Sequence, residues 1–376
     1  MQIRRSHRPA RSVWAAVALL LGSVSTGVAA QDSTGCRSCE GHGHLPCKRH
    51  DHELEERVEF CSIAIACQQC EGALARDCKS CPNPAGDAAL AKRRQDSAAW
   101  VAGRRQHVDE RTRGKEIEHI RTRHVDLTFS VRDLTVGKQK LDQHDLMHLY
   151  AQRLEDLRQL FCDTLGVGDR DFSARLEIYV FRDAADHRAL APHVVGGSSS
   201  ATSGKLLGAT AVHCLYHDRN AAPGDEGLWR SLVHNVTHLL LANMKPAMWI
   251  GNRKSGWIDE GLAHWFEDKL TGRCLNYCYQ EVAIATGTNY KGGRFRVPIR
   301  KLVDAGKLKS FSELATLNTD QLSGEDHAHA FACVDFLLDR FGGKQLTKLV
   351  RGLKNEEPLR DALQAACAID LLQFDE

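Results

Sequence analysis

His234-Asn235-Val236-Thr237-His238, followed by Trp257-Ile258-Asp259-Glu260-Gly261-Leu262-Ala263-His264-Trp265-Phe266-Glu267, decides how this chain is read. Apolar spacing predicts one helix over residues 228–244 and a second over 259–270. On the first helix the two imidazoles project from one face, one turn apart, which lets two nitrogens grip a single metal ion. Alone this carries little weight, because 19 His in 376 residues give about one such pair by chance. Two look-alikes, His144/His148 and His213/His217, are present. The discriminating feature is Glu260, a carboxylate at the start of the next helix, 22 residues after His238.

These residues resemble the active-site helices of the peptidase MA-like, gluzincin-type metallopeptidases related to thermolysin and the aminopeptidases. Ser231-Leu-Val-His234 with His238-Leu-Leu-Leu is similar to the first metal helix, and Trp257-Ile-Asp-Glu260-Gly-Leu-Ala263 to the family's Trp-x-x-Glu-Gly-x-Ala signature. The resemblance implies zinc held by His234, His238 and Glu260 with a fourth position open to water. It extends over most of residues 125–376: strands at 125–131 and 176–181, a strand at 209–216 as the substrate-binding edge, the two metal helices, and 328–338 as a later helix. The fold class expected is therefore α+β, a small sheet with a helical active-site and C-terminal part.

One position departs from the family. The general-base Glu of His-Glu-x-x-His is Asn235 here, and an amide takes no proton from an attacking water at neutral pH. Losing a general base costs about 10²- to 10⁴-fold in rate. Metal binding is expected to survive, since that Glu is not a ligand. On the second helix His264 and Glu267 share the face of Glu260, whereas Asp259 is expected to point away. Glu267 reads as an acceptor for a ligand's imidazole N–H, and His264 as a substitute base or extra ligand. His327 and His329 read as surface histidines or, on the later helix, as a transition-state donor.

Eight of the 14 Cys lie between Cys36 and Cys81. Cys36, Cys39, Cys47 and His50 match Cys67, Cys70, Cys78 and Cys81 at a constant offset of 31, leaving Cys61 over. A Cys-to-His exchange between equivalent positions suits metal ligation and not a disulfide, so two zinc sites are expected, one of four Cys and one of three Cys with His50, or another partition of these eight groups. Cys-x-x-Cys-x-Gly-x-Gly at 36–43 resembles the cysteine-rich zinc module of DnaJ-type chaperones, which implies partner or unfolded-chain binding. Export into an oxidising compartment keeps a disulfide framework open as the competing reading. Cys162, Cys214, Cys333 and Cys367 read as small core side chains, and Cys274/Cys278 as a buried, metal or disulfide pair.

Arg4, Arg5, Arg8 and Arg11, an apolar run over 13–21 and Val28-Ala29-Ala30 form a secretory signal over residues 1–30, so a secreted, periplasmic or cell-envelope location is expected, with no membrane contact beyond export. A Cys-rich zinc-binding module over 31–86, a charged helical linker over 87–124 and the peptidase-like domain over 125–376 complete the division. A net charge of +2 from 50 basic and 48 acidic groups offers no field for nucleic acid. A peptide or protein is the expected substrate or partner. The function that emerges is a secreted zinc metallopeptidase-like protein whose peptide hydrolysis is absent or weak. The alternatives are a non-catalytic, zinc-dependent peptide- or protein-binding pseudoenzyme and a thiol- or chaperone-like protein acting through the Cys-x-x-Cys module.

Overall fold

A computed structural model describes residues 36–39, 43–48, 69–73, 75–80, 84–112, 116–196, 203–278 and 290–375. The signal-peptide reading of residues 1–30, and the ligands His50, Cys67 and Cys81, lie outside the described residues, as does Cys61.

Two short strands, β1 (His44–Pro46) and β2 (Ala75–Asp77), pair antiparallel, with Leu45 opposite Arg76. They occupy equivalent places in the two halves of the 31-residue repeat, so the repeated sequence folds as a repeated structure. Helix α1 (Pro84–Thr112) follows, then β3 (Glu118–Arg121) and β4 (Val125–Phe129). The hairpin of β5 (Leu134–Val136) and β6 (Gln139–Leu141) leads into α2 (Gln143–Leu165) and β7 (Leu176–Phe181). Next come α3 (Ala184–Val194), β8 (Ser203–Leu206), β9 (Ala211–Tyr216), α4 (Gly224–Asn243) and α5 (Gly256–Thr271). The C-terminal part is helical: α6 (Arg296–Asp304), α7 (Phe311–Leu314), α8 (Gly324–Arg340), α9 (Gly343–Lys354), α10 (Leu359–Cys367) and α11 (Leu371–Asp375).

The chain is thus mixed α/β. Its main sheet has five strands in the order β3-β4-β7-β9-β8, with β4, β7 and β9 parallel and both outer strands antiparallel to their neighbours. Parallel central strands are buried on both faces. Ile178 and Val180 pack into the large core with the helices α2, α4 and α5. Tyr179 and Phe181 point the other way, against Val108 of α1 and Leu190 of α3, as the two-residue period of a strand requires.

Two expectations change. Within the segment read as a linker, α1 packs on the sheet, with Arg104 donating to Glu177 at 2.6 Å and to Thr128 at 3.0 Å, and β3 is itself a strand of the sheet. The sheet therefore begins before residue 125. The strand near residues 209–216 is not the sheet edge: β9 lies between β7 and β8, and the edge is β8, which comes from the Gly/Ser-rich segment. Ser203-Gly-Lys-Leu206 has little strand propensity of its own, and pairing with β9 supplies its structure.

Local chemistry fixes the two metal-helix candidates. At its start α4 carries Asp225 and Glu226, favourable against the helix dipole, and Arg153 grips Asp225 through two contacts of 2.7 and 3.0 Å. At its end the buried Lys354 ammonium donates to the carbonyls of Leu241, Ala242 and Met244. Helix α5 meets α8 at Gly261, where a Cβ would stand 2.5 Å from the Ala330 carbonyl oxygen. The glycine after Glu260 is thus what lets α8 approach the site. Among the described residues no helix is long and apolar enough to cross a membrane.

Candidate metal centre

His234 and His238 on α4 and Glu260 on α5 converge below the edge strand β8, all at most 1% exposed. Their Nε2 atoms are 3.2 Å apart. His234 Nε2 lies 3.5 Å from Glu260 Oε2, and His238 Nε2 lies 3.4 Å from Glu260 Oε1. A fourth donor completes the group: Cys278 Sγ is 3.2 Å from His238 Nε2 and 3.7 Å from His234 Nε2. All four ligand atoms fall within 4.8 Å of one another.

The chemistry of this group could hold a cation at its centre. Glu260 is fully buried, yet neither of its oxygens makes a hydrogen bond among the described residues. Histidine nitrogens at 3.3 to 3.6 Å surround it, so its charge is balanced either by protons on those imidazoles or by a metal ion held among the same donors. His, Glu and Cys donors converging in this way fit a transition metal; a calcium or magnesium site would be built of oxygen alone.

The outer nitrogen of His234 is held by a carboxylate, as in metal-bound imidazoles, and that of His238 lies within ion-pair distance of one. Glu267 Oε2 lies 3.1 Å from His234 Nδ1 and 3.4 Å from His264 Nδ1. Asp259 Oδ1 lies 3.0 Å from His238 Nδ1, while Asp259 Oδ2 accepts from Trp249 at 2.8 Å and Thr319 at 3.2 Å. Asp259 is therefore not turned away from the site: it lies on a different face of α5 from Glu260, but α4 packs close enough for His238 to reach it.

Electrostatics follow from this arrangement. Burial disfavours the charged imidazole of His234, but Cys278, Glu260 and Glu267 outweigh it and hold the pKa well above the ordinary value. For His238 burial also opposes, and the charges of Asp259 and Cys278 raise the pKa to about 9. Burial would raise Glu260, yet the charges of His238 and His327 keep it well below the usual carboxylate range. His264 goes the other way, down to about 4, because burial dominates. Without a metal, the site gathers protons on His234 and His238 to balance its carboxylates.

Asn235, at the position of the family's base, has both ends of its amide engaged. Its Nδ2 donates to the Ser231 carbonyl at 2.8 Å, and its Oδ1 accepts from Lys205 Nζ at 2.8 Å. Lys205 also lies 2.9 Å from Cys278 Sγ. His264 stands behind Glu260, its Nε2 3.6 Å from Glu260 Oε2 and 3.0 Å from His327 Nδ1. His327 and His329, read as surface residues, are buried at 1% and 6%, and His327 Nδ1 reaches Glu260 Oε2 at 3.3 Å. Glu260, His264 and His327 thus form a second group that shares Glu260 with the first.

The look-alike pairs take no part in either group. His213 lies on a strand and pairs with the Gly204 carbonyl, and His217 with that of Ala222. His144 and His148 meet ring against ring at a tilt of 55°, with Glu118 against His144. Cys274 and Cys278 are both free thiols and do not pair; Cys274 Sγ donates to the His264 carbonyl at 3.3 Å. Lys205 is the residue of this group that sequence reasoning misses, and Cys278 was read only together with Cys274, as a buried, metal or disulfide pair. The signal for Cys278 was its spacing from Cys274, and the structure places Cys278 alone of the two with His234, His238 and Glu260.

In the N-terminal module Cys36, Cys39 and Cys78 gather, with Cys36 and Cys78 Sγ 3.7 Å apart. The first Cys pair of one repeat thus meets Cys78 of the other. Gly43 donates its N–H to Cys39 Sγ at 3.3 Å, and its φ of 75° suits glycine at that turn. Cys47 and Cys70 are both buried.

No family model matches the chain, and no curated protein matches it either.

Proposed function

We propose that this chain is an exported, gluzincin-type zinc protein that holds the metal through His234, His238 and Glu260 and hydrolyses peptides weakly or not at all. Zinc suits a buried site of imidazole, carboxylate and thiol donors, and where one coordination position is open it would supply Lewis-acid polarisation of a carbonyl. The rest of a hydrolytic site would have to come from this chain's own groups. The observation that carries the reading is Asn235: its oxygen accepts from an ammonium and its nitrogen is spent on the helix backbone, so no proton acceptor faces the centre from that position. His264 does not replace it, because it lies behind Glu260, against His327. The retained donors with the missing base favour a binding role for a peptide or protein segment. The Cys-rich module would hold two further zinc ions and contribute to partner binding.

The test compares peptide hydrolysis by the natural chain and by Asn235→Glu, with elemental zinc analysis of both. Zinc in both, with cleavage weak or absent in the natural chain whether or not the variant gains it, supports the proposal. Cleavage by the natural chain that disappears in Glu260→Ala makes it a working peptidase, and absence of zinc defeats the metal reading altogether.

A further inference from the structure

We propose that Cys278 is the fourth ligand of the metal at His234, His238 and Glu260, so that the centre is closed by protein on all four sides. The inference rests on the metal reading above and deepens it. A tetrahedral zinc site with the usual bond lengths has edges of about 3.3 Å between nitrogen or oxygen donors and about 3.6 Å between nitrogen and sulfur. Here the nitrogen–nitrogen edge is 3.2 Å, the nitrogen–oxygen edges are 3.5 and 3.4 Å, and the nitrogen–sulfur edges are 3.7 and 3.2 Å. One face of a tetrahedron, the nitrogen–nitrogen edge and both nitrogen–sulfur edges, is thus present in the positions of the side chains alone, and each Glu260 oxygen lies at one further edge length from one of the two imidazoles.

Cys278 is brought there by a fastened turn. Glu267 Oε1 accepts from the backbone N–H of Leu275 at 2.7 Å, that of Asn276 at 3.2 Å and the Asn276 side chain at 2.8 Å. The same carboxylate reaches His234 Nδ1 through its other oxygen. One residue therefore positions an imidazole ligand and the segment that delivers the thiol. Upstream, Cys274 N–H donates to the Gly293 carbonyl at 3.0 Å, and Tyr277 is buried against His264 and His327.

A thiol that merely filled space would not need three polar partners. Cys278 Sγ faces two imidazole nitrogens and an ammonium, surroundings that favour a thiolate over a thiol. A thiolate bound to metal uses all three: it shares the ion with both histidines and accepts from Lys205. Lys205 also ties this departure to the other one. Its Nζ bridges Asn235 Oδ1 and Cys278 Sγ, so the site that lacks a base is the site in which a sulfur takes the remaining position. A thiolate ligand selects borderline-soft ions such as Zn²⁺, Co²⁺ and Cd²⁺ over Mg²⁺ or Mn²⁺.

The full-length chain loaded with Co²⁺ tests this by absorption, because each cysteine thiolate on cobalt adds a near-ultraviolet sulfur-to-metal charge-transfer band. The N-terminal cysteines contribute equally to every sample. In Cys278→Ser the band should fall by one thiolate's share while the cobalt at the histidine site is retained or bound about 10- to 100-fold more weakly. An undiminished band overturns the proposal. A second measurement uses the natural chain: half-buried Cys278 should react with a maleimide at least about tenfold more slowly with zinc bound than after chelation, as peptide mapping reads it, and equal rates overturn the proposal. If His238→Ala leaves the cobalt content unchanged, it is the underlying metal reading that has failed.

Discussion

Glu267→Gln removes one charge from the centre and almost no volume. Glu267 is fully buried and accepts on both oxygens: three N–H groups of the 275–276 turn at 2.7, 3.2 and 2.8 Å on Oε1, and His234 Nδ1 at 3.1 Å on Oε2. Glutamine has one acceptor oxygen. If it serves the turn, which has more donors, the amide NH₂ faces His234 Nδ1, and that nitrogen must itself carry a hydrogen for Nε2 to bind metal as a neutral imidazole. Two donors then oppose each other. A hydrogen bond to a charged group contributes about 1.5–3 kcal/mol, so metal affinity should fall by about 10- to 100-fold, the range in which outer carboxylates act at metal sites. Competition against a chromophoric chelator at fixed pH measures this, with circular dichroism to establish that the variant is folded. A folded variant that binds metal within about threefold of the natural chain would refute the claim that Glu267 orients a ligand.

Further outcomes follow from the same geometry. With the pKa of His238 raised to about 9 and that of His234 higher than usual, metal binding near pH 7.5 should release at least one proton, read by titration calorimetry in buffers of different ionisation enthalpy. Because the folded pKa of His238 exceeds the unfolded value of 6.5, its contribution to the stability of the metal-free chain is fully present below that value and is lost as pH rises to about 9; denaturant unfolding should weaken over this window without metal. Gly261→Ala places a methyl against the Ala330 carbonyl oxygen and should cost about 1–3 kcal/mol in the same unfolding experiment, despite the better helix propensity of alanine.

What could be read in the sequence was local. The spacing of His234 and His238, and Glu260 at the head of the next helix, depend on helical period alone, and the structure brings these three side chains together. Lys205 was hidden because its strand has no strand-like pattern and is formed by pairing with β9. Asp259 was misread because helical phase says which face a residue occupies, not how near the next helix packs. His327 reaches Glu260 only because Gly261 admits α8, a contact across 67 residues that no period records. Cys278 illustrates the same limit: its sequence neighbour Cys274 suggested a pair, whereas the turn held by Glu267 sends the two thiols to different places. β3 was taken for linker because polar Glu118 and Arg121 flank its two buried residues, and only pairing with β4 marks the segment as strand.

The most direct test of the account is elemental analysis of zinc per chain in the natural protein and in Glu260→Gln, purified side by side and checked for folding. Any zinc in the cysteine module is common to both. The account predicts that Glu260→Gln holds one equivalent less, or loses that equivalent to a chelator that leaves it in the natural chain. Equal zinc content with equal resistance to chelation would contradict a metal centre at His234, His238 and Glu260.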